Sequence, residues 1–462
     1  MGFHPMSKSV AYDFQRVLAD LAGFVNYERT ADYPPGPGGL GTERIAVLLR
    51  QMDDPQTRFP SIHIAGTKGK GSTAYLTAAL LTAYGYKVGL YTSPHIENVR
   101  ERIQIQGEYI TEAAFCRAYD RVRHAASSIA KGGDKAPTYF ELLTAMAFLF
   151  FAEERVDVAV VEVGLGGRLD ATNAPQLRTA VCGFTPISRD HMQRLGNDIV
   201  SIAQEKAGIL RPGAPVVMAP QAPAVAALLR KEAGLRGCQI YAVGEDVKAT
   251  LRQPTPRDTP EAPQRLDLRT WRALHHDVPL PLLGEHQIVN AAAALALAEV
   301  FVQKRESGPV DTACLRRAWR EIHIPGRIEV VSRQPWVIID GAHNPASAWA
   351  LAETLCGRFS ATKRVFVIAI AADKEVEAIL KILLPLASCA IMTTNGTPRS
   401  LAPEKLQHLA LPYGVETVIE VDPVQALRRA ISMAGDGIVC ACGSLYLAGI
   451  LRSFTNSLSV KG

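Results

Sequence analysis

A glycine-rich loop near residue 66 constrains the fold more than any other feature, because a strand-like run leads into it and a helical run leaves it. Residues 61–65 are predicted to form a buried strand, and residues 72–84 a helix. The glycines between them let backbone N–H groups point into the loop without obstruction by a Cβ atom. The N-terminus of the following helix adds a partial positive charge. This arrangement indicates a site for phosphate groups in an α/β protein.

The loop departs from the strict phosphate-loop pattern G-x-x-x-x-G-K-[ST] at two places. It consists of Gly66, Thr67, Lys68, Gly69, Lys70, Gly71 and Ser72. Ile64 stands where the pattern has its first glycine, and Gly71 follows the lysine where the pattern has Ser or Thr. Lys70 is expected to reach the β- and γ-phosphates of a nucleotide. A turn rich in glycine and lysine that binds no ligand is the alternative interpretation.

Short apolar runs alternate with helical patterns along nearly the whole chain. The predicted strands are residues 61–65, 87–91, 156–163, 179–184, 215–219, 336–340, 364–370, 389–394, 416–421 and 437–442. The predicted helices include residues 72–84, 141–154, 201–209 and 345–359. Many of the strands are rich in Val and Ile without strict alternation, which is typical of parallel strands buried on both faces. We therefore predict α/β architecture with mostly parallel sheets.

The length of 462 residues predicts at least two domains, and the best boundary lies near residues 322–325. Residues 311–321 have a helical pattern, and a new series of strands and helices follows them. We predict a large domain over residues 1–322 that carries the phosphate loop and a mostly parallel sheet. A smaller, Rossmann-like domain is predicted over residues 323–462. Two stretches dense in Pro, Gly or polar residues, 32–41 and 252–265, are predicted to be loops.

Composition excludes several classes of protein. Apolar residues make up 48% and charged residues 21% of the chain, which excludes global disorder. Lys and Arg exceed Asp and Glu by 50 to 45 without forming a basic block, so no nucleic-acid partner is predicted. The eight cysteines form no C-x-x-C pair, which favours reduced thiols over a zinc site. With no apolar stretch of about 20 residues and no signal-peptide pattern, we expect a cytoplasmic monomer that does not contact membranes.

Four ordered motifs resemble those of folylpolyglutamate synthase, an enzyme often combined with dihydrofolate synthase and belonging to the Mur-ligase-like ATP-dependent amide ligases. The motifs are residues 66–73 with 90–95, residues 161–173, residues 190–196 with 205–208, and residues 340–345 preceded by 325–327. The resemblance runs from about residue 40 to residue 446 and therefore spans both predicted domains. The family usually has Asn at the position of Lys68, which lies beside the expected phosphates.

The resemblance implies that the chain adds L-glutamate to a folate. Whether it also adds glutamate to dihydropteroate stays open. ATP converts a carboxylate into an acyl phosphate, which the amine of glutamate then attacks. Both steps gather negative charge on oxygen atoms, so cations and phosphate-facing N–H groups matter more than a nucleophilic side chain. The resemblance places groups that contact folate near residues 138–141 and 165–173. Phe140 is equally well explained as a core residue.

Magnesium is the expected cofactor, and its ligands should be oxygen atoms with an occasional imidazole. Glu162 ends an apolar strand beside a glycine-rich turn, a place that packing explains poorly. The resemblance makes Ser93, Glu162 and His191 the ligands of two Mg²⁺ ions, and a carbamylated Lys206 supplies further anionic oxygens to the metal. Alone, Ser93 would be interpreted as a helix cap or turn residue, His191 as a loop residue and Lys206 as a solvated lysine.

The remaining site residues also follow from the resemblance. Asn290, in an Ala-rich helix, is expected to hydrogen-bond adenine, and its alternative is an exposed helix start. Arg327 is placed at phosphate, and Asp340 near the ribose or the phosphates. His343 and Ser444 are expected to hold the incoming glutamate. Together with the loop these residues form an ATP site shared by two domains, with catalysis assigned to Lys70, Glu162, His191 and Lys206.

Three alternative functions stay open at this point. A peptidoglycan ligase of the Mur type would need a nucleotide-sugar-binding domain ahead of the phosphate loop, and only about 60 residues precede the loop. A P-loop NTPase switch or kinase would need no glutamate, and the altered loop pattern argues against it. A non-catalytic binding protein would be expected to lack Lys70, Glu162 or His191, and all three are present.

Overall fold

The computed structural model describes residues 13–28, 41–131, 136–189, 198–253, 259–305, 308–360 and 363–459, and every structural statement below refers to these residues. Two helices, α1 (Phe14–Ala22) and α2 (Glu43–Arg50), precede the first strand. The predicted loop at residues 32–41 lies outside the described residues, except for Gly41.

The first sheet has eight strands in the order β4-β3-β2-β5-β1-β6-β7-β8. They are β1 (Pro60–Ala65), β2 (Val88–Tyr91), β3 (Ile103–Ile105), β4 (Glu108–Tyr109), β5 (Val158–Glu162), β6 (Arg178–Phe184), β7 (Val216–Met218) and β8 (Ile240–Ala242). The pairs from β2 through β8 are parallel, and only β3 and β4 are antiparallel additions at one edge.

Consecutive side chains of the central strands enter two different cores. On β5, Val158 and Val160 pack into one cluster, whereas Ala159 and Val161 pack into a cluster on the opposite face. Both faces are covered by helices, so neither set of positions is polar. This is the physical reason why the strand sequences show no alternation.

The helices of this part follow the strands in the order expected of α/β units. They are α3 (Lys70–Ala83), α4 (Glu112–Lys131), α5 (Tyr139–Glu153), α6 (Ile199–Ala207), α7 (Pro223–Leu235), α8 (Glu285–Val302) and α9 (Thr312–Trp319). The helix α8 is buried along most of its length, because its Ala-rich sequence allows close packing against α3 and the sheet.

A three-stranded antiparallel sheet lies between the two larger sheets in sequence and was not predicted. Its strands are β9 (Lys248–Leu251), β10 (Gln264–Arg269) and β11 (Leu274–Leu280), in the order β11-β10-β9. The loop prediction for residues 252–265 was therefore wrong at its end, where Gln264 and Arg265 belong to β10. Gln264 is buried there, and its amide donates to the carbonyl groups of Leu282 and Gly284 at 2.7 and 3.1 Å.

The third sheet has six strands in the order β12-β13-β17-β14-β15-β16. They are β12 (Glu329–Arg333), β13 (Trp336–Ile339), β14 (Arg364–Ile368), β15 (Cys389–Met392), β16 (Glu416–Ile419) and β17 (Ile438–Cys442). Only β12 is antiparallel to its neighbour. The accompanying helices are α10 (Pro345–Arg358), α11 (Val376–Leu383), α12 (Pro403–Ala410), α13 (Pro423–Ala434) and α14 (Leu445–Ser459).

The predicted α/β class is confirmed, with a large mostly parallel sheet and a second, smaller one. All ten predicted strands form, within two residues at most ends, and the four helices named from the sequence form as well. None of the eight cysteines is in a disulfide, and six of them are buried. Within the described part of the chain, no helix has the length and apolar character needed to cross a bilayer.

The end of α9 generates a stability prediction. Trp319 is fully buried, and its indole N–H donates to the carbonyl of Leu76 in α3 at 3.0 Å. Trp319→Ala leaves a large cavity and removes this hydrogen bond, so we expect the free energy of unfolding to fall by about 3–5 kcal/mol. Urea denaturation followed by circular dichroism measures the change.

The matched control is Trp349→Ala, because the side chain of Trp349 is 58% exposed. We expect that variant to change the free energy of unfolding by about 0.5 kcal/mol or less. Equal effects of the two substitutions would contradict the assignment of Trp319 as a core anchor.

Candidate active site

One cavity of about 570 Å³ lies where the C-terminal ends of strands from both large sheets meet. The loop after β1, the residues after β2, β5 and β13, and the start of α14 all contribute to its wall. The predicted site residues that line it are Gly66, Thr67, Lys68, Gly69, Lys70, Gly71, Ser72, Ser93, Glu162, Lys206, Asn290, Arg327, Asp340, His343 and Ser444. The fold thus brings together residues that lie up to 378 positions apart, Gly66 and Ser444 being the extremes.

The glycine-rich loop is held by strand β6 and by α8. The backbone N–H groups of Thr67 and Lys68 donate to the carbonyl of Pro186 at 3.0 and 3.2 Å. Gly69 has φ +82° and precedes α3, and a Cβ atom there would collide with the amide of Asn290. Because the first N–H groups of a helix lack intrahelical partners, those at the start of α3 are available to an anion in the cavity.

Glu162 is the central carboxylate of the site. Its Oε1 atom lies 3.8 Å from Lys70 Nζ, and its Oε2 atom accepts the backbone N–H of Ser93 at 3.0 Å. Burial raises the pKa of Glu162 above its usual value, although Lys70, the Ser93 N–H group and Arg327 act in the opposite direction. A buried carboxylate with this net cost is typical of a functional site rather than of a stabilising ion pair.

Lys206 reaches the phosphate loop from the end of α6. It is buried, and its Nζ donates to the carbonyl of Gly66 at 2.8 Å. The loop that follows β5 packs on this helix end, since a Cβ atom on Gly167 would lie only 3.0 Å from the Cα of Lys206. The side chain therefore lies at the floor of the cavity and not in solvent.

Asn290 is buried and lies against the phosphate loop, so its alternative as an exposed helix start was wrong. Its Nδ2 group donates to Oε1 of Gln287 at 2.8 Å, one turn earlier in α8. Gln287, 1% exposed, thus fixes the orientation of the Asn290 amide, with Oδ1 toward the loop. Its neighbour His286 is also at the cavity, and burial together with Arg327 lowers the pKa of His286 to about 4.

Asp340 directly follows β13, and Arg327, from the same half of the chain, acts on its charge. Its two carboxylate oxygens accept the backbone N–H groups of Ile328 and Ala342 at 2.8 and 2.7 Å. Burial raises the pKa of Asp340, and Arg327, these N–H groups and Lys68 oppose the rise. The contribution from Lys68 is notable because that residue belongs to the loop after β1, in the first sheet's half of the chain.

His343 lies just before α10 and Ser444 just before α14, two helices that accompany the third sheet. The Nδ1 atom of His343 lies 2.7 Å from the carbonyl of Gly341, and its Nε2 atom lies 3.3 Å from Lys68 Nζ. Ser444 accepts the backbone N–H of Tyr446 at 3.1 Å at the start of α14. Both side chains line the same cavity as the phosphate loop.

The two segments expected to contact folate form one end of the cavity. Thr138 caps α5 and shares a capping box with Glu141, whose carboxylate also binds Arg44 at 3.0 Å. Asp170 folds the loop after β5 by accepting the N–H groups of Leu165 and Thr172 at 2.8 and 2.9 Å. Phe140 lines this end of the cavity and also packs against the neighbouring core.

One predicted ligand, His191, lies outside the described residues, as does Asp190 beside it. Sequence reasoning missed Arg44, Glu28 and Arg399, all of which line the cavity. The Glu28 carboxylate binds the buried Arg102 at 2.5 and 2.9 Å, and its carbonyl accepts Arg399 at 2.7 Å. Single charged residues in helices and turns give no signal that separates them from a solvated surface.

The paired sheets and the loop-bearing cleft define an ATP-dependent ligase of the Mur type. The Mur ligase middle domain matches residues 64–298, and the Mur ligase glutamate ligase domain matches residues 326–445. Within that class, the chain belongs to the folylpolyglutamate synthase/dihydrofolate synthase family.

The relatives cover nearly the whole chain. It is 41% identical over 406 residues to dihydrofolate synthase/folylpolyglutamate synthase of Mycobacterium tuberculosis, covering 85% of this chain and 81% of the relative. It is 33% identical over 446 residues to folylpolyglutamate synthase of Lacticaseibacillus casei, covering 95% of this chain and 98% of the relative.

Solved structures agree with these sequence relatives. Folylpolyglutamate synthase of M. tuberculosis, complexed with ADP and AMPPCP, superposes with a TM-score of 0.87 at 35% identity, covering 96% of this chain and 99% of the other. The E. coli protein FolC, in complex with DHPP and ADP, gives a TM-score of 0.82 at 28% identity, covering 98% and 100%.

The raised pKa of Glu162 predicts a pH dependence of stability. At pH values between the pKa of Glu162 in the unfolded chain and its higher pKa in the folded protein, the folded protein binds more protons than the unfolded chain. The free energy of unfolding therefore falls as pH rises through this range. Glu162→Gln removes the group responsible, and with it this fall in the free energy of unfolding. In buffer containing a chelator, we expect the variant to be the more stable protein at pH 7, and the difference to shrink as pH falls toward about 4.

Urea denaturation across this pH range provides the measurement. Glu404→Gln, at an exposed position in the first turn of α12, is the matched control and should show no such trend. A wild-type protein that gains stability relative to Glu162→Gln as pH rises would contradict the predicted direction.

Proposed function

We propose that this chain is an ATP-dependent ligase that joins L-glutamate to a folate, and also to dihydropteroate. The observation that carries the proposal is the single cavity in which the phosphate loop of one half of the chain faces His343 and Ser444 of the other. A nucleotide bound at the loop and an amino acid bound at the third sheet would then share one reaction volume. Two relatives, from Mycobacterium tuberculosis and Bacillus subtilis, carry both dihydrofolate synthase and folylpolyglutamate synthase in their names, which supports the wider substrate range.

The reaction proceeds in two steps that the residues of the cavity fit. A carboxylate oxygen of the folate attacks the γ-phosphorus of ATP, which gives an acyl phosphate and ADP. The amino group of glutamate then attacks the acyl carbon, and the tetrahedral intermediate expels phosphate as the amide forms. Lys70, Arg327 and the N–H groups at the start of α3 balance the negative charge that develops. The enclosing walls limit hydrolysis of the acyl phosphate by water.

We assign the other groups as follows. Asn290 binds adenine, Asp340 lies at the ribose or phosphates, and His343 and Ser444 hold the glutamate. The lining of the cavity by these residues supports the assignments. The segments around Thr138 and Asp170 form the folate end.

Magnesium would be held by Glu162 and Ser93 together with His191. The donor set fits a hard cation, since Glu162 offers two carboxylate oxygens in a site where its burial is otherwise costly. The metal would supply Lewis-acid stabilisation of phosphate charge. Within the described residues, no three His, Cys, Asp or Glu side chains cluster as a metal site. We assign the rest of the coordination to Ser93, His191 and bound phosphate.

Lys206 as an ammonium group offers no lone pair to a metal, and its position beside Gly66 supports carbamylation as the way in which it contributes anionic oxygens. Incubation with ¹³C-labelled bicarbonate should give a carbamate signal in the ¹³C spectrum that disappears in Lys206→Met. Wild-type protein without such a signal at any bicarbonate concentration would refute the modification.

We further propose two units, residues 1–322 and 323–462, that hinge near residues 322–325 and close over the substrates. The separation of the first and third sheets in sequence supports this division. We also propose that the protein acts as a cytoplasmic monomer. The free thiols and a cavity built by one chain support that proposal.

The decisive experiment measures ADP formation with ATP, Mg²⁺ and labelled glutamate, using tetrahydrofolate and dihydropteroate as alternative acceptors. We expect ADP, phosphate and labelled product in equal amounts, and only when glutamate and an acceptor are both present. If ADP formation depends on neither acceptor, the ligase assignment is refuted. Turnover with tetrahydrofolate alone would restrict the assignment to folate.

Lys70→Ala tests the phosphate loop in the same assay. Removing the cation beside Glu162 should lower kcat by about 100-fold or more while the circular dichroism spectrum stays unchanged. Lys405→Ala, at an exposed position in α12, serves as the matched control. Activity of Lys70→Ala near that of the wild type would contradict the role of the loop.

A further inference from the structure

Two lysines of the phosphate loop point to different partners. Lys70 Nζ lies 3.8 Å from the Glu162 carboxylate, within the half of the chain that carries the loop. Lys68 Nζ instead lies 3.3 Å from His343 Nε2, which follows strand β13 of the third sheet. A side chain of the phosphate loop therefore touches directly the residue assigned to the amino-acid substrate.

The contact fixes the tautomer of His343. Its Nδ1 atom lies 2.7 Å from the carbonyl oxygen of Gly341, which can only accept a hydrogen bond, so Nδ1 carries the proton. A second proton on Nε2 would place two cations 3.3 Å apart, beside Arg327, which lines the same cavity. Nε2 therefore presents its single lone pair, and the ammonium group of Lys68 donates to it.

An amino acid offers the same kind of donor to this lone pair. The α-ammonium group of glutamate, like that of Lys68, is a primary ammonium, and one imidazole lone pair accepts one strong donor. Lys68 and His343 both line the cavity. The ammonium groups of Lys68 and of a bound glutamate would therefore approach His343 Nε2 in the same space. Lys68, once displaced, stays anchored by its backbone in the loop that is proposed to bind phosphate.

We propose that Lys68 is a positioning residue whose ammonium group competes with the α-ammonium group of the incoming amino acid for His343 Nε2, so that amino-acid binding frees Lys68 for the phosphate groups. The proposal rests on the proposed function, because it takes glutamate as the occupant of the site at His343. It couples the two halves of the reaction through one side chain, since arrival of the amine delivers a second cation to the loop.

Competition predicts that loss of the Lys68 ammonium group lowers both kinetic constants. Without the ammonium of Lys68, glutamate no longer competes with that group for His343 Nε2, so the KM for glutamate should fall. Without the cation, the phosphate charge of the reacting state is less well balanced, so kcat should fall as well. A merely structural contact would raise KM or leave it unchanged, because loss of a support for His343 weakens binding.

The experiment compares Lys68→Met, Lys68→Arg and the surface control Lys405→Met in the glutamate-dependent assay. For Lys68→Met we expect KM for glutamate to fall about threefold or more and kcat to fall about tenfold or more. Lys68→Arg, which keeps the charge, should recover part of kcat, and Lys405→Met should match the wild type. An unchanged or raised KM for glutamate in Lys68→Met would overturn the proposal.

A spectroscopic readout is independent of turnover. In long-range ¹H–¹⁵N spectra of protein labelled at histidine, with His343→Gln as the assignment variant, we expect His343 with Nδ1 protonated and Nε2 unprotonated at pH 7. The Nε2 resonance should shift in Lys68→Met and on addition of glutamate. A protonated Nε2 in the wild type would overturn the proposal, whereas a wild type without glutamate-dependent turnover would defeat the proposed function instead.

Discussion

The buried carboxylate of Glu162 is the interaction on which the arrangement of the site depends. It ends the strand next to β1 and joins the strand ends of β1, β2 and β5, through Lys70 at 3.8 Å and the Ser93 N–H group at 3.0 Å. Burial of the charge carries a cost that these partners do not fully offset, which is why its pKa is raised. A position that costs stability in this way is typical of a functional site.

A second buried carboxylate lies on the other side of the cleft. Asp340 is also buried with a raised pKa, and the groups that oppose the rise include Arg327 from its own half and Lys68 from the other. Lys68 also donates to His343, so polar contacts join the two halves alongside apolar ones, such as that of Leu283 in the core of the third sheet. Polar contacts of this kind exchange partners more readily than packed apolar ones when a charged ligand arrives, which is compatible with the closure proposed above.

Much of the fold was accessible from the sequence, for a local reason. Strands such as residues 158–162 are buried on both faces, so their continuous apolar runs are visible without knowledge of their neighbours. The antiparallel sheet of β9 to β11 escaped prediction because its strands are polar and half exposed, and Gln264 is buried only through distant carbonyl groups. Arg44, Glu28 and Arg399 were missed for the same reason, since each becomes part of the cavity only when remote segments meet.

The sequence by itself determined the class of fold, the phosphate loop and the family, because these depend on short-range order: strand, glycine turn, helix start and four spaced motifs. The tertiary structure alone decided that Lys68 faces His343 and that Lys206 reaches Gly66. These contacts join residues 140 and 275 positions apart, and side-chain direction at such contacts is set by packing and burial. Local sequence carries no information about either.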